Sequence, residues 1–143
     1  MTVEQIRAHF PDVSVANVVT ASSSAQMRML VTGASGFAGS LLLPRLCSDG
    51  HRLRALARNP ERVDEALARQ RPPGDAGDLG VQIIAGDAIT GVGLEQALDG
   101  VEVAYYLIHS MERPRVDPSP FAERERVAAE SFGAAAARAG VRR

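Results

Sequence analysis

The chain of 143 residues contains no lysine and no tryptophan, has one cysteine, and carries only 4% aromatic residues. Its sixteen basic residues are therefore all arginine. With Cys47 alone, neither an intramolecular disulfide nor a cysteine-rich zinc site can be built, and a reducing cytoplasm suits the protein. His9, His51 and His109 have no H-x-x-x-H or H-x-H spacing, so no metal site is expected. Sixteen basic residues against seventeen acidic ones, without aromatics interleaved among the bases, do not recommend nucleic acid as a partner. No stretch approaches the ~20 apolar residues of a membrane span, and the first residues lack a basic segment followed by a continuous apolar one. A cytoplasmic protein of about one domain, neither exported nor membrane-spanning, is the expectation.

What is present is TGASGFAG, Thr32 to Gly39, after the apolar run Met29-Leu30-Val31 and before a helix-compatible stretch. A dinucleotide pyrophosphate site needs that order of strand, glycine turn and helix. Gly33 suits the tight turn, Gly36 allows backbone N–H groups to approach a phosphate, and Gly39 allows the helix to pack closely on the strand. Phe37, Leu41, Leu42 and Leu46 are expected to form the helix's apolar face. Cys47 is placed on the same inner face, as core and not as a nucleophile. Gly39 is followed by Ser40 without a Gly-Lys-Ser/Thr pattern, which argues against a P-loop.

From Met27 onward strands and helices alternate, the pattern of a doubly wound parallel α/β sheet. Strands are predicted at Arg28–Thr32, Leu53–Ala57, Val81–Ala85 and Val101–Ile108. Helices are predicted from the glycine turn to about Asp49 through Pro44, over Glu61–Arg69, around Leu94–Leu98, and after a loop at 109–120. The final helix should bury Phe121, Ala128, Phe132, Ala135 and Ala139, with Glu123, Arg124 and Glu130 mainly outside. Right-handed crossovers give a strand order 3-2-1-4. Val141-Arg142-Arg143 reads as the start of a fifth strand, so the Rossmann-like domain at 27–143 is expected to be truncated there. An unpaired apolar edge on the fourth strand would then favour self-association or pairing with a partner. Residues 1–26, with a short helix around Ile6 and Phe10, a β-prone stretch at Val13–Val19 and the linker-like Ala21–Ala25, read as a partly flexible extension. Met27 and Met29 leave a later natural start open.

Arg58 falls at the end of the second strand, about 20 residues past the glycine motif, where an NAD-preferring site commonly has an acid for the ribose hydroxyls. A guanidinium there can pair with an adenosine 2′-phosphate and stack near adenine, so NADP is expected over NAD. Ser35 is a candidate hydroxyl donor to the same phosphate, and Arg62, one helical turn on, is an auxiliary candidate. Asp87, after Gly86, either accepts from the adenine amino group or caps the turn that follows; both readings stand. His109 ends the fourth strand where the nicotinamide end would lie and is a candidate contact to ribose or substrate.

TGASGFAG, LARNPER, GD and YYLIHSM together resemble an atypical short-chain dehydrogenase/reductase over Met27 to the end. Within that superfamily the chain is similar to the NAD(P)H-binding, NmrA-like and complex-I-accessory-subunit-like groups, whose YLxHSM stretch resembles Tyr106–Met111. The resemblance implies a Rossmann fold with the cofactor at Gly33, Ser35, Gly36, Phe37, Gly39, Arg58 and Asp87. Catalytic members of the wider superfamily use a Tyr-x-x-x-Lys pair, in which tyrosine moves a proton and lysine lowers its pKa. A chain without lysine has no such pair, so catalytic residues are left unassigned and at least one of Tyr105 and Tyr106 is expected in the core. The resemblance also implies a substrate-binding C-terminal region, which is expected to be missing from these residues. The leading expectation is an NADP(H)-binding domain derived from such an oxidoreductase. A non-catalytic module that reports nucleotide state to a partner, and an inactive remnant, are the alternatives.

Overall fold

A computed structural model of the chain describes residues 25–75, 77–108 and 119–143. The helix expected around Ile6 and the β-prone stretch at 13–19 lie outside the described residues, as does most of the 109–120 loop. Strands β1 (Arg28–Thr32), β2 (Arg52–Ala57), β3 (Gln82–Ala85) and β4 (Val103–Tyr106) alternate with helices α1 (Phe37–Ser48), α2 (Pro60–Gln70), α3 (Leu94–Leu98) and α4 (Ser119–Arg138). The strands pair in parallel in the order β3-β2-β1-β4. Val31 stands beside Ala55 on one side and Tyr105 on the other.

Alternation along the strands divides the core into two layers, because successive side chains leave opposite faces of a sheet. Met29, Val31, Leu53 and Ala55 pack with Leu43, Leu46, Val63 and Leu67 on the face covered by α1 and α2. Leu30, Leu56 and Ile84 pack with Leu94, Ala97, Leu98 and Phe132 on the other. Leu30, Leu43 and Leu98 are completely buried, each contributing roughly 1.5–3 kcal/mol in transfer free energy.

Helix α1 buries Leu46 and packs Leu42 against the core as expected, but turns Phe37 and Leu41 outward. Gly39, Ser40, Leu43 and Leu46 face inward, whereas Phe37 is 84% and Leu41 47% exposed. Gly39 lets the helix lie close on the Gly33–Ala34 turn, and Phe37 and Leu41 are left facing outward. Cys47 is half-buried, its thiol donating to the Leu79 carbonyl at 3.2 Å; burial and the Asp78 charge push its pKa up, which keeps it a thiol. Helix α2 starts as LARNPER suggests: Asn59 accepts from the Glu61 amide, and Pro60 occupies the first turn, where no N–H is needed. The five-residue α3 is too short to persist alone. The Arg54 guanidinium steadies its C-terminal end, with Nη1 donating to the carbonyls of Gln96, Ala97 and Asp99 and Nε to Gln82 Oε1.

Strand β4 is shorter than the apolar run predicts and its four residues are half-buried, because it has a strand neighbour on one side only. Helix α4 begins at Ser119, inside the stretch read as loop. It buries Ala128 and Phe132, while Ala139 is exposed because the helix ends at Arg138 and Gly140, at φ +77°, turns the chain. Phe121's side chain lies outside the described residues. The turn brings Arg142 and Arg143 alongside β4: the Arg142 amide donates to Glu102 C=O at 2.9 Å, and Arg143 C=O accepts from Ala104 at 2.7 Å. The start of the β4 outer edge, expected bare, therefore carries the chain's own residues 142–143. Glu102 anchors them, accepting from the Arg28 amide at 3.1 Å and pairing with the Arg142 guanidinium.

Candidate functional site

The C-terminal ends of the four strands open onto one cleft of about 540 Å³. Its walls are Gly33–Gly36 after β1, Arg58, Asn59 and Arg62 after β2, Gly86–Ile89 after β3, and Leu107 and Ile108 after β4. An open α/β sheet binds its ligands at this edge, where the strand order reverses.

The floor is a backbone device. Gly33 turns at φ +71°, and the Gly36 amide closes the turn onto Gly33 C=O at 3.0 Å. A Cβ on Gly33 would stand 2.6 Å from the Leu107 carbonyl oxygen. A Cβ on Gly39 would stand 2.4 Å from Gly33 O and 2.7 Å from Ala34 Cα, so Gly39 brings helix and turn together without itself lining the cleft. Gly36 is the N-cap of α1, with no side chain to cap it, and the first helical bond runs from Ser40 N–H to Gly36 C=O. The amides of Phe37, Ala38 and Gly39 are thus left without helical acceptors at the positive end of the helix. Donors of this kind suit an oxyanion.

The β2 side supplies charge. Arg58 and Arg62 are exposed on the cleft wall and make no ion pair or side-chain hydrogen bond among the described residues. On the β3 side Asp87 Oδ1 accepts from the Ile89 amide at 2.8 Å, while its backbone bridges to Val92 and accepts from Gly91. The turn-capping role left open for Asp87 is therefore made, yet the carboxylate still lines the cleft, with Oδ2 uncommitted among the described residues.

Of the predicted site residues, Gly33, Ser35, Gly36, Arg58 and Asp87 converge on this cleft. Phe37 sits at the start of α1, largely in solvent and off the wall, and His109 lies outside the described residues. Tyr106 is held in the second core layer, its ring centroid 5.0 Å from that of Phe132 at an interplanar angle of 50°. Burial, then the charges of Glu125 and Asp87, raise its pKa, which opposes use as a proton donor near neutral pH. Thr32 carries a feature sequence reasoning passed over: its buried hydroxyl donates to Tyr105 C=O at 3.1 Å and accepts from the Leu107 amide at 3.3 Å. A threonine at the end of an apolar strand, immediately before the first glycine, was the available signal.

The family model for the NmrA-like family matches residues 25–143. The chain belongs to the NmrA-like family. Among solved structures, this NmrA-like chain is similar to gox2253, with TM-score 0.63, 29% identity, and coverage of 81% of this chain and 32% of that one. WbmG of Bordetella bronchiseptica, solved in complex with NAD, matches with TM-score 0.57, 26% identity, and coverage of 85% and 37%. Pen from Bacillus thuringiensis, at TM-score 0.61, 14% identity and coverage of 81% and 36%, shares the fold. The NmrA-like chain spans about a third of the length of these structures. No curated protein matches it. The four-stranded parallel sheet in the order 3-2-1-4, with its glycine turn, gives this domain a Rossmann-type fold.

Proposed function

We propose that the domain binds a nicotinamide dinucleotide with a preference for the 2′-phosphorylated form, NADP(H). The observation that carries the preference is the pair Arg58 and Arg62, two guanidinium groups on the cleft wall after β2 with no carboxylate partner among the described residues. Two unneutralised arginines are poorly matched to a bare ribose diol and well matched to a phosphate dianion. The fit extends along the cleft: the amide-rich start of α1 would take the pyrophosphate, Ser35 the phosphate rim, and Asp87 the adenine amino group. The NAD bound in WbmG supports the dinucleotide class, and the choice of NADP over NAD rests on the arginines.

When bound, such a cofactor supplies hydride transfer at its nicotinamide ring. The chain's own contribution is to bind and orient it. The lack of lysine and the core packing of Tyr106 favour a role in binding or signalling nucleotide state over a complete proton-relay site within these residues. Reductase or dehydrogenase chemistry on a small organic substrate is the reading that descent from the superfamily supports for a longer relative.

Titration calorimetry of the 143-residue chain with NADPH and NADH tests the proposal. NADPH should bind more tightly than NADH, and Arg58→Ala should abolish the difference. Equal affinities in the unsubstituted protein would refute the preference; no binding of either by folded protein would refute the function. A partner that binds the NADPH-loaded and free forms with equal affinity would count against the signalling reading.

A further inference from the structure

We propose that the edge of the sheet opposite the cleft holds a second anion site, a groove that takes a diphosphate-type oxyanion between Arg28, Arg52 and Arg54. The groove, of about 360 Å³, lies at the starts of the strands, whereas the cleft lies at their ends, and no residue lines both. Arg28 and Arg52 are partners in the parallel β1–β2 ladder, and Arg54 follows Arg52 on the same face of the sheet. Facing like charges repel, yet neither Arg28 nor Arg52, both exposed, makes a side-chain hydrogen bond or ion pair among the described residues. No carboxylate lines the groove. Glu102, the acid whose charge reaches Arg28, is already paired with Arg142, and Asp78 Oδ1 accepts from the Gly80 amide at 2.9 Å.

The remaining polar side chains of the groove are set as donors by the bonds they already make. Arg54 Nη1 donates to the carbonyls of Gln96, Ala97 and Asp99 at 2.6–3.3 Å and Nε to Gln82 Oε1 at 2.9 Å, which fixes the guanidinium and leaves Nη2 to the groove. Gln82, its oxygen taken by Arg54, has its NH2 group to offer. His51 accepts the Met27 amide on Nδ1 at 3.3 Å, which puts the ring proton on Nε2. Among the described residues, the free side-chain groups along the groove are therefore guanidinium, carboxamide and imidazole N–H groups, with no free side-chain acceptor. Such a set repels cations and matches an oxyanion whose charge is spread over several oxygens. Adjacent strands lie about 4.8 Å apart, so Arg28 and Arg52 can each hold one phosphoryl group of a linked pair while Arg54 and His51 bond the remaining oxygens.

Inorganic pyrophosphate titrated into the 143-residue chain at about 0.15 M salt, where surface charge is largely screened, tests the site. The NMR signals of the His51 ring and the Arg52 Nε–H read occupancy locally, so an anion in the cofactor cleft does not register as one in the groove. Both signals should move and saturate. Arg28→Gln and Arg52→Gln should each weaken the affinity read at His51 at least about ten-fold, and Arg58→Gln, in the cleft, should leave it within about two-fold. Orthophosphate should bind at least about ten-fold more weakly than pyrophosphate, because it fills one of the two phosphoryl positions. Movement confined to the Gly33–Gly36 amides would place the anion in the cleft and overturn the proposal. Equal losses in all three variants, the mark of unspecific charge, would overturn it too, as would the absence of any saturating shift or equal affinities for the two anions. Arg52→Gln relieves a like-charge contact at an exposed position, so without pyrophosphate it should unfold at no lower denaturant concentration than the original chain. Should a variant not fold, the shifts in the original chain decide between groove and cleft.

Discussion

Replacing Gly39 by alanine tests the glycine cradle most directly. An added Cβ would stand 2.4 Å from Gly33 O and 2.7 Å from Ala34 Cα, both backbone atoms that no rotamer change can move aside. Reaching an ordinary contact of 3.4 Å requires α1 and the turn to part by about 1 Å. Overpacking of this kind costs about 1–3 kcal/mol, and rigid backbone neighbours place Gly39 in the upper part of that range. Alanine's higher helix propensity returns at most about 1 kcal/mol, so the net loss should be about 1–2 kcal/mol. Gly133, in α4 with open space around it, is the internal control: Gly133→Ala should raise stability by about 0.5–1 kcal/mol through propensity alone. Denaturant unfolding of both variants reads these opposite signs. Because the displaced helix start carries the amides proposed to take the pyrophosphate, Gly39→Ala should also weaken NADPH by at least about ten-fold, and Gly133→Ala should leave affinity unchanged. A Gly39→Ala protein with the stability and affinity of the original would refute the close-packing argument.

Further outcomes follow from the same structure. Arg58→Ala should weaken NADPH by about ten-fold or more and leave NADH within about two-fold, as expected for loss of a charge-assisted contact to a group that only NADPH carries; isothermal titration checks it. Phe132→Ala removes a buried ring that packs on Tyr106 and should cost about 3–5 kcal/mol in chemical denaturation. Glu102 has its pKa lowered, first by the Arg28 amide and then by Arg142, so its contribution is present above the ordinary glutamate range and is lost as pH falls through the lowered folded value. Carboxyl NMR titration should therefore place Glu102 below an ordinary glutamate, and Glu102→Gln should flatten the acid limb of the stability profile; an unshifted titration would contradict the anchoring role.

The strands and the glycine turn were legible because their signals are local. Met29-Leu30-Val31 is apolar on every residue, as a strand buried on both faces must be, and Gly33 lies where φ turns positive. Asn59-Pro60 announced the start of α2 for the same reason, since a cap and a first-turn proline act within a few residues. The inner face of α1 was not legible, because Leu41, Leu42, Leu43 and Leu46 offer overlapping stripes. The close packing of Gly39 on the Gly33–Ala34 turn selects among them. The length of β4 and the placement of Arg142 and Arg143 likewise depend on neighbours distant in the chain.

Sequence alone determined the alternation of strand and helix, the parallel order that right-handed crossovers impose, and the placing of Gly33, Ser35, Gly36, Arg58 and Asp87 at strand ends on one edge of the sheet. Those properties follow from periodicity and turn chemistry, which act over a few residues. Tertiary structure alone decided that Phe37 faces solvent, that Asp87 caps its own turn while lining the cleft, and that Thr32 ties β1 to Tyr105 and Leu107. Each of these depends on groups brought together by packing, and the partners of Thr32 are more than seventy residues away along the chain, beyond the reach of any local pattern.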